Sequence, residues 1–84
     1  NNNHVNNVKY LEWMLDSTDD DILNNHNIKS ISIEYKKEVL YIDKPSVHSL
    51  FKVDNSEITS KYKITTENID HAYGQIIWRE IDVK

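Results

Sequence analysis

The spacing of apolar residues near the start of the chain predicts two helices. Apolar side chains recur three or four residues apart at Val5, Val8, Leu11 and Leu15. This spacing places them on one face of an amphipathic helix over residues 5–16. Thr18 and the acidic residues after it are typical of a helix start, because a hydroxyl satisfies free amides and carboxylates favour the positive end of the helix dipole. We therefore predict a second, short helix over residues 18–25.

The pattern then changes to the two-residue period of a strand. Ile31, Ile33 and Tyr35 alternate with polar residues, which is typical of a half-buried strand. A polar turn at residues 36–38 and an apolar run at residues 39–42 follow, so we predict a hairpin over residues 29–43. Pro45 ends it, because proline cannot donate to a strand ladder.

Of the later segments, residues 46–53 have a pattern that fits more than one element. Residues 46–53 fit an edge strand, but Pro45 suits the first position of a helix, and we favour one or two helical turns there. Residues 61–64 resume the alternation of a strand. Thr66 is suited to cap a two-turn helix that ends before Gly74, and a last strand is predicted over residues 75–83.

These elements predict the fold class α+β. An N-terminal helix would pack on a mainly antiparallel sheet of four to five strands, with short helices in the connections. The 84 residues suffice for a single small domain, residues 1–84, in which residues 1–6 form a frayed, asparagine-rich tail. Because the chain does not begin with Met, it is also consistent with a fragment of a longer protein.

Composition excludes several kinds of chemistry. The chain has no cysteine and one glycine, which rules out disulfides, thiol nucleophiles, cysteine zinc sites and glycine-rich phosphate loops within it. No apolar run is long enough to cross a bilayer, so no membrane partner is expected. The absence of cysteine fits a cytoplasmic location, which we slightly favour, and equally fits secretion without disulfides.

The polar residues offer no obvious reaction centre. The four histidines do not stand at metal-ligand spacing, and Asp19, Asp20 and Asp21 are not followed by the glycine that a calcium loop needs. We therefore predict that the chain is not an enzyme and has no metal or cofactor.

The acidic helical end is the first candidate binding surface. Its proposed members are Glu12, Trp13, Asp16, Asp19, Asp20 and Asp21. Such a patch can steer and select a protein partner with a basic surface, and Trp13 would add contact area. This predicts a non-enzymatic protein-interaction module, such as a small inhibitor, an immunity- or antitoxin-like neutraliser, a propeptide or an accessory domain.

A strand face with lysines and tyrosines is the alternative. Its proposed members are Tyr35, Lys36, Lys37, Lys61, Tyr62 and Lys63. Aromatic side chains flanked by lysines can stack the bases of single-stranded nucleic acid. The net charge of −4 makes this the weaker hypothesis.

Overall fold

The computed structural model describes residues 7–40 and 44–81. Two helices precede four strands, in the order α1 (Asn7–Asp16), α2 (Asp20–Asn25), β1 (His26–Tyr35), β2 (Ser46–Asp54), β3 (Glu57–Thr66) and β4 (Ile69–Glu80). The strands form one antiparallel sheet in the order β1-β4-β3-β2. The α+β class and the antiparallel sheet are therefore confirmed, with four strands. The predicted tail over residues 1–6 lies outside the described residues.

Hydroxyl and carboxylate caps separate the two helices. The hydroxyls of Ser17 and Thr18 donate to the Met14 carbonyl oxygen at 2.9 and 2.8 Å, where α1 ends. The Asp19 carboxylate accepts from the Asp21 amide at 3.1 Å and caps α2. The second helix thus begins later than predicted, because Thr18 ends α1 instead of starting α2. Neither helix has the length and apolar character to span a membrane.

The predicted hairpin over residues 29–43 is wrong. β1 pairs with β4, so that Ile33 lies opposite Gly74 and Tyr35 opposite Ala72. After Tyr35, residues 36–39 lie outside the sheet, and β4 is the strand that pairs with β1 among the described residues. Residues 41–43 of the predicted hairpin lie outside those residues. The partner of β1 is more than thirty residues away in sequence, and no local pattern indicates such a pairing.

Both predicted helices in the second half are also wrong. Residues 46–53 belong to β2, which pairs with β3 so that Val47 lies opposite Ile64 and Val53 opposite Ile58. The predicted helix after Thr66 is instead a turn at residues 67–68 followed by β4. In each segment, apolar residues fit both periods, and pairing along the sheet favours the strand.

The core lies between the helices and one face of the sheet, which we call the inner face; the opposite one is the outer face. The buried apolar residues are Tyr10, Met14, Ile22, Val39, Ile58, Tyr62, Ile64, Ala72, Ile76 and Trp78. In β4 these positions alternate, as Ala72, Ile76 and Trp78 share the inner face with Gly74.

Gly74 allows α1 to lie close to the sheet. A Cβ atom at this position would come within 2.5 Å of the Met14 Cε atom and 2.6 Å of its Sδ atom. Met14 is fully buried, so its side chain has little room to move. The chain's single glycine therefore provides a close approach in a strand, and does not end a helix as predicted.

We expect Gly74→Ala to destabilise the fold by about 1–3 kcal/mol, because the added methyl group overpacks the core against Met14. Met14→Ala alone should cost about 2–5 kcal/mol through the cavity that it leaves. In the double variant, the shorter side chain at position 14 leaves room for the methyl group at position 74. The loss in the free energy of unfolding should therefore be smaller than the sum of the two single losses. Urea unfolding of all four proteins measures this coupling, and strictly additive costs would contradict the contact.

A buried hydroxyl pair joins the end of α1 to β3. Thr18 Oγ1 lies 2.6 Å from the Tyr62 hydroxyl and donates its own hydrogen to Met14. Tyr62 must therefore be the donor to Thr18.

We expect Thr18→Val to be more destabilising than Tyr62→Phe. Tyr62→Phe removes one hydrogen bond, at a cost of about 0.5–1.5 kcal/mol, and leaves Thr18 bonded to Met14. Thr18→Val leaves the buried Tyr62 hydroxyl without its acceptor, at about 1–3 kcal/mol. Thermal or urea unfolding ranks the two variants, and the reverse order would show that the hydroxyls are not paired as described.

Candidate functional site

The segment after β1, residues 36–40, is fastened to β4 through His71. The backbone amides of Lys36 and Lys37 donate to the His71 carbonyl oxygen at 2.7 and 3.1 Å. The Nδ1 atom of the His71 ring lies 2.9 Å from the Lys37 carbonyl oxygen. Because a carbonyl oxygen only accepts, Nδ1 carries a proton. The opposite ring nitrogen contacts the Thr66 hydroxyl, so both nitrogens of this buried ring are engaged.

Tyr10 of α1 holds the same segment from the other side. Its hydroxyl oxygen accepts from the Val39 amide at 3.2 Å, and the Val39 side chain is fully buried. The Tyr10 ring meets the rings of Tyr35 and Trp13 edge-on, with centroids 5.1 and 5.5 Å apart. The segment is therefore fixed between α1 and the neighbouring ends of β1 and β4, although residues 36–39 are neither helix nor strand.

Glu38 lies on this fixed segment with its side chain exposed. The residues on both sides of it, Lys37 and Val39, have the backbone hydrogen bonds described above. A carboxylate is thus presented at a defined place beside α1. The polar pattern of residues 36–38 predicted only a turn and gave no sign of this residue, since Tyr10 and His71, which hold the segment, are distant in sequence.

The acidic residues of the predicted surface are exposed, but its tryptophan is not. Glu12 and Asp16 are exposed on α1, whereas Trp13 is partly buried and packs against the core. Asp19 caps α2, and Asp20 and Asp21 lie exposed in its first turn. These carboxylates stabilise the helix start, as the sequence indicated. Binding of a basic partner at this surface stays a prediction.

The structure does not bring the predicted lysine and tyrosine set onto one surface. Tyr62 is buried on the inner face, whereas its neighbours Lys61 and Lys63 are exposed and point to the outer face. Lys36 and Lys37 lie on the fastened segment. Tyr35, at the end of β1, has its ring against Tyr10. Tyr62 is therefore unavailable for stacking bases.

A broad depression lies on the outer face. Its volume is about 540 Å³, and all four strands line it. At one side the Tyr73 hydroxyl donates to the Asp70 carboxylate at 2.6 Å, and this bond is the main reason that the pKa of Tyr73 is raised. A hydrogen bond to Glu34, with an N–O distance of 2.8 Å, likewise raises the pKa of Lys36, whose ammonium lies 5.5 Å from the centre of the Tyr73 ring.

No metal centre is evident in the described part of the chain. Among residues 7–40 and 44–81, no three histidine, aspartate or glutamate side chains converge as metal ligands. The predicted absence of a metal concerns the whole chain and stays a prediction.

Solved structures with the same arrangement define the class of fold. The 12:0-ACP thioesterase from Umbellularia californica superposes with a TM-score of 0.86 at 23% identity, over 95% of this chain and 30% of that one. A thioesterase from Thermus thermophilus, solved with coenzyme A and zinc, gives a TM-score of 0.82 at 18% identity, over 95% of this chain and 72% of that one. The chain therefore has the hotdog-like fold that these two proteins share.

Sequence comparison identifies the family within that class. Residues 1–80 match the model of the acyl-ACP thioesterase C-terminal domain, and the chain belongs to this family. An oleoyl-acyl carrier protein thioesterase from Coriandrum sativum is 36% identical over 67 residues, which are 80% of this chain and 18% of that protein. A dodecanoyl-[acyl-carrier-protein] hydrolase from Cinnamomum camphora is 49% identical over 37 residues, which are 44% of this chain and 10% of that protein. The chain thus spans less than a fifth of these relatives.

The prediction of a non-enzymatic interaction module is therefore wrong, and so are the specific suggestions of an inhibitor or accessory domain. The family and its relatives point to a hydrolase. The nucleic-acid alternative is overturned by the same finding. The error has a physical origin: having no cysteine and only one glycine excludes some reaction centres, but it does not exclude one built from carboxylates and histidines.

We expect Tyr10→Phe to loosen the fastened segment without unfolding the domain. The Val39 amide loses its acceptor, so its hydrogen exchange should quicken about tenfold, which corresponds to the loss of one ordinary hydrogen bond. Exchange measured by NMR tests this, with Tyr73→Phe as the control, because the Tyr73 hydroxyl contacts Asp70 on the outer face. Unchanged exchange at Val39 would show that Tyr10 does not hold the segment.

Proposed function

We propose that the protein containing this domain hydrolyses the thioester between a fatty acyl chain and an acyl carrier protein. The observation that carries this proposal is the match of residues 1–80 to the acyl-ACP thioesterase C-terminal domain. The hotdog-like fold supports it, since the Umbellularia and Thermus proteins that share the fold are thioesterases by name.

The chemistry of this chain favours attack by water over attack by a thiol. The chain has no cysteine, so its own residues cannot form an acyl-cysteine intermediate. A carboxylate or histidine acting as general base can instead remove a proton from the attacking water. His71 is a poor candidate, because both of its ring nitrogens are engaged and the ring is buried.

Glu38 is the carboxylate that the structure positions best for this role. It lies between Lys37 and Val39, whose backbone is held by His71 and Tyr10. A catalytic group gains from such fixed support, because a small displacement of the reacting atoms lowers the rate strongly. Water or substrate can reach the side chain, which is exposed. We therefore assign Glu38 as the candidate general base.

Apolar surface on the inner face supports binding of an acyl chain. Large side chains stay exposed there beyond the cover of the helices, with Ile31 at 40%, Phe51 at 53% and Val53 at 61% exposure. A fatty acyl chain is stabilised by contact with such surface, at about 25 cal/mol for each Å² removed from water.

We expect Glu38→Gln to lower kcat on acyl carrier protein substrates by about 10²–10⁴, with an unchanged unfolding temperature, because the amide cannot accept the proton. The assay measures free fatty acid released from dodecanoyl, palmitoyl and oleoyl carrier protein, the chains named in the relatives. Glu67→Gln is the matched control, since Glu67 is an exposed carboxylate in the turn after β3.

Two results would contradict this account at different levels. Wild-type kcat in Glu38→Gln would overturn the assignment of the base and leave the proposed reaction in place. No release of fatty acid by the wild-type protein from any of the three substrates would overturn the proposed function itself.

A further inference from the structure

Two rows of side chains cross the outer face of the sheet and line its depression. Strand register places Ser32, Gln75, Lys61 and Leu50 in one row, and Glu34, Tyr73, Lys63 and His48 in the next. With strands about 4.8 Å apart, a row across four strands is about 14 Å wide. The depression is thus broad enough for an element of protein structure, such as a helix of about 10–12 Å diameter.

The centre of this surface carries positive charge without a carboxylate partner. Lys61 and Lys63 are exposed, and no described acidic side chain lies within ion-pair distance of either ammonium group. The nearby acids Glu34 and Asp70 are already bonded, to Lys36 and to Tyr73.

The surface between these charges is partly apolar. Leu50 is 64% exposed and Tyr73 38% exposed, and both line the depression. Exposed apolar groups among unpaired charges are typical of a contact surface for another protein. The chain as a whole has a net charge of −4, so this positively charged surface lies on a chain that is negative overall.

We propose that this outer face docks an acidic surface of the acyl carrier protein, through Lys61 and Lys63. The proposal rests on the proposed function, which makes a carrier protein the bearer of the substrate. Unpaired lysines attract carboxylates and speed association, while Leu50 and Tyr73 supply apolar contact. The acyl group itself would be processed elsewhere, since Glu38 is not among the residues that line the depression.

The test compares two double variants with the same change in charge. Lys61→Gln/Lys63→Gln alters the outer face, whereas Lys9→Gln/Lys29→Gln alters lysines that form ion pairs with Glu12 and Glu57. The probe is carrier protein with its prosthetic group but no acyl chain, so that binding is measured apart from hydrolysis. Calorimetry or fluorescence anisotropy gives the Kd of the carrier protein for the full-length protein, at low and at high salt.

We expect the outer-face variant to bind the carrier about tenfold more weakly and to lose most of the salt dependence of wild type. The control should stay within about twofold of wild type. In hydrolysis, KM for acyl carrier protein should rise in the outer-face variant, while kcat/KM for a small acyl-pantetheine thioester should not change.

Three results would overturn the docking proposal: equal Kd in wild type and the outer-face variant, an equal loss in the control, or self-association of the protein that the outer-face variant abolishes. The last would mean that acidic helices of a second copy occupy the face. If the carrier binds as expected but no acyl substrate is hydrolysed, docking stands and the proposed reaction fails. If hydrolysis occurs and Kd is unaffected, the reaction stands and docking fails.

Discussion

The close approach of Met14 to Gly74 is the contact on which the rest of this structure depends. A helix can lie deep in an antiparallel sheet only where the strand beneath it leaves room. Here the chain's single glycine and single methionine meet at that place. A side chain at position 74 would have to displace the fully buried Met14 side chain, which lies one turn after Tyr10 on α1.

The position of α1 also affects the candidate reaction centre, because Tyr10 of this helix contacts the segment after β1. Residues 36–39 of that segment are neither helix nor strand, and Tyr10 on one side and His71 on the other hold their backbone. Both residues thereby fix the backbone on either side of Glu38. Core packing and the candidate reaction centre are therefore coupled: a change that lifts the helix also releases the carboxylate that we assign as the general base.

Local signals predicted the two N-terminal helices, and non-local pairing explains why the two helices predicted in the second half are strands. The spacing of apolar residues in α1 and the acidic residues at the start of α2 act within a few residues, so the sequence alone indicated both helices, although it began the second one at Thr18. The pairing of β1 with β4 depends on register across the whole domain, and the patterns near Val47 and Ile69 fit two periods equally well. In the predicted lysine and tyrosine set, Tyr62 and Lys61 are neighbours in a strand and so lie on opposite faces of the sheet. The sequence alone did not show which of these faces is buried. Gly74 resembled a helix end because the residue that needs its space lies sixty positions earlier.

The most direct test of this account is the nuclear Overhauser effect between the Met14 methyl group and the Gly74 α-protons. The methyl resonance can be assigned by its disappearance in Met14→Leu. The structure predicts a strong effect, because the Met14 Cε atom occupies the space where a Cβ atom of residue 74 would lie. A folded protein that shows no such effect would contradict the seating of α1, and with it the positioning of Glu38.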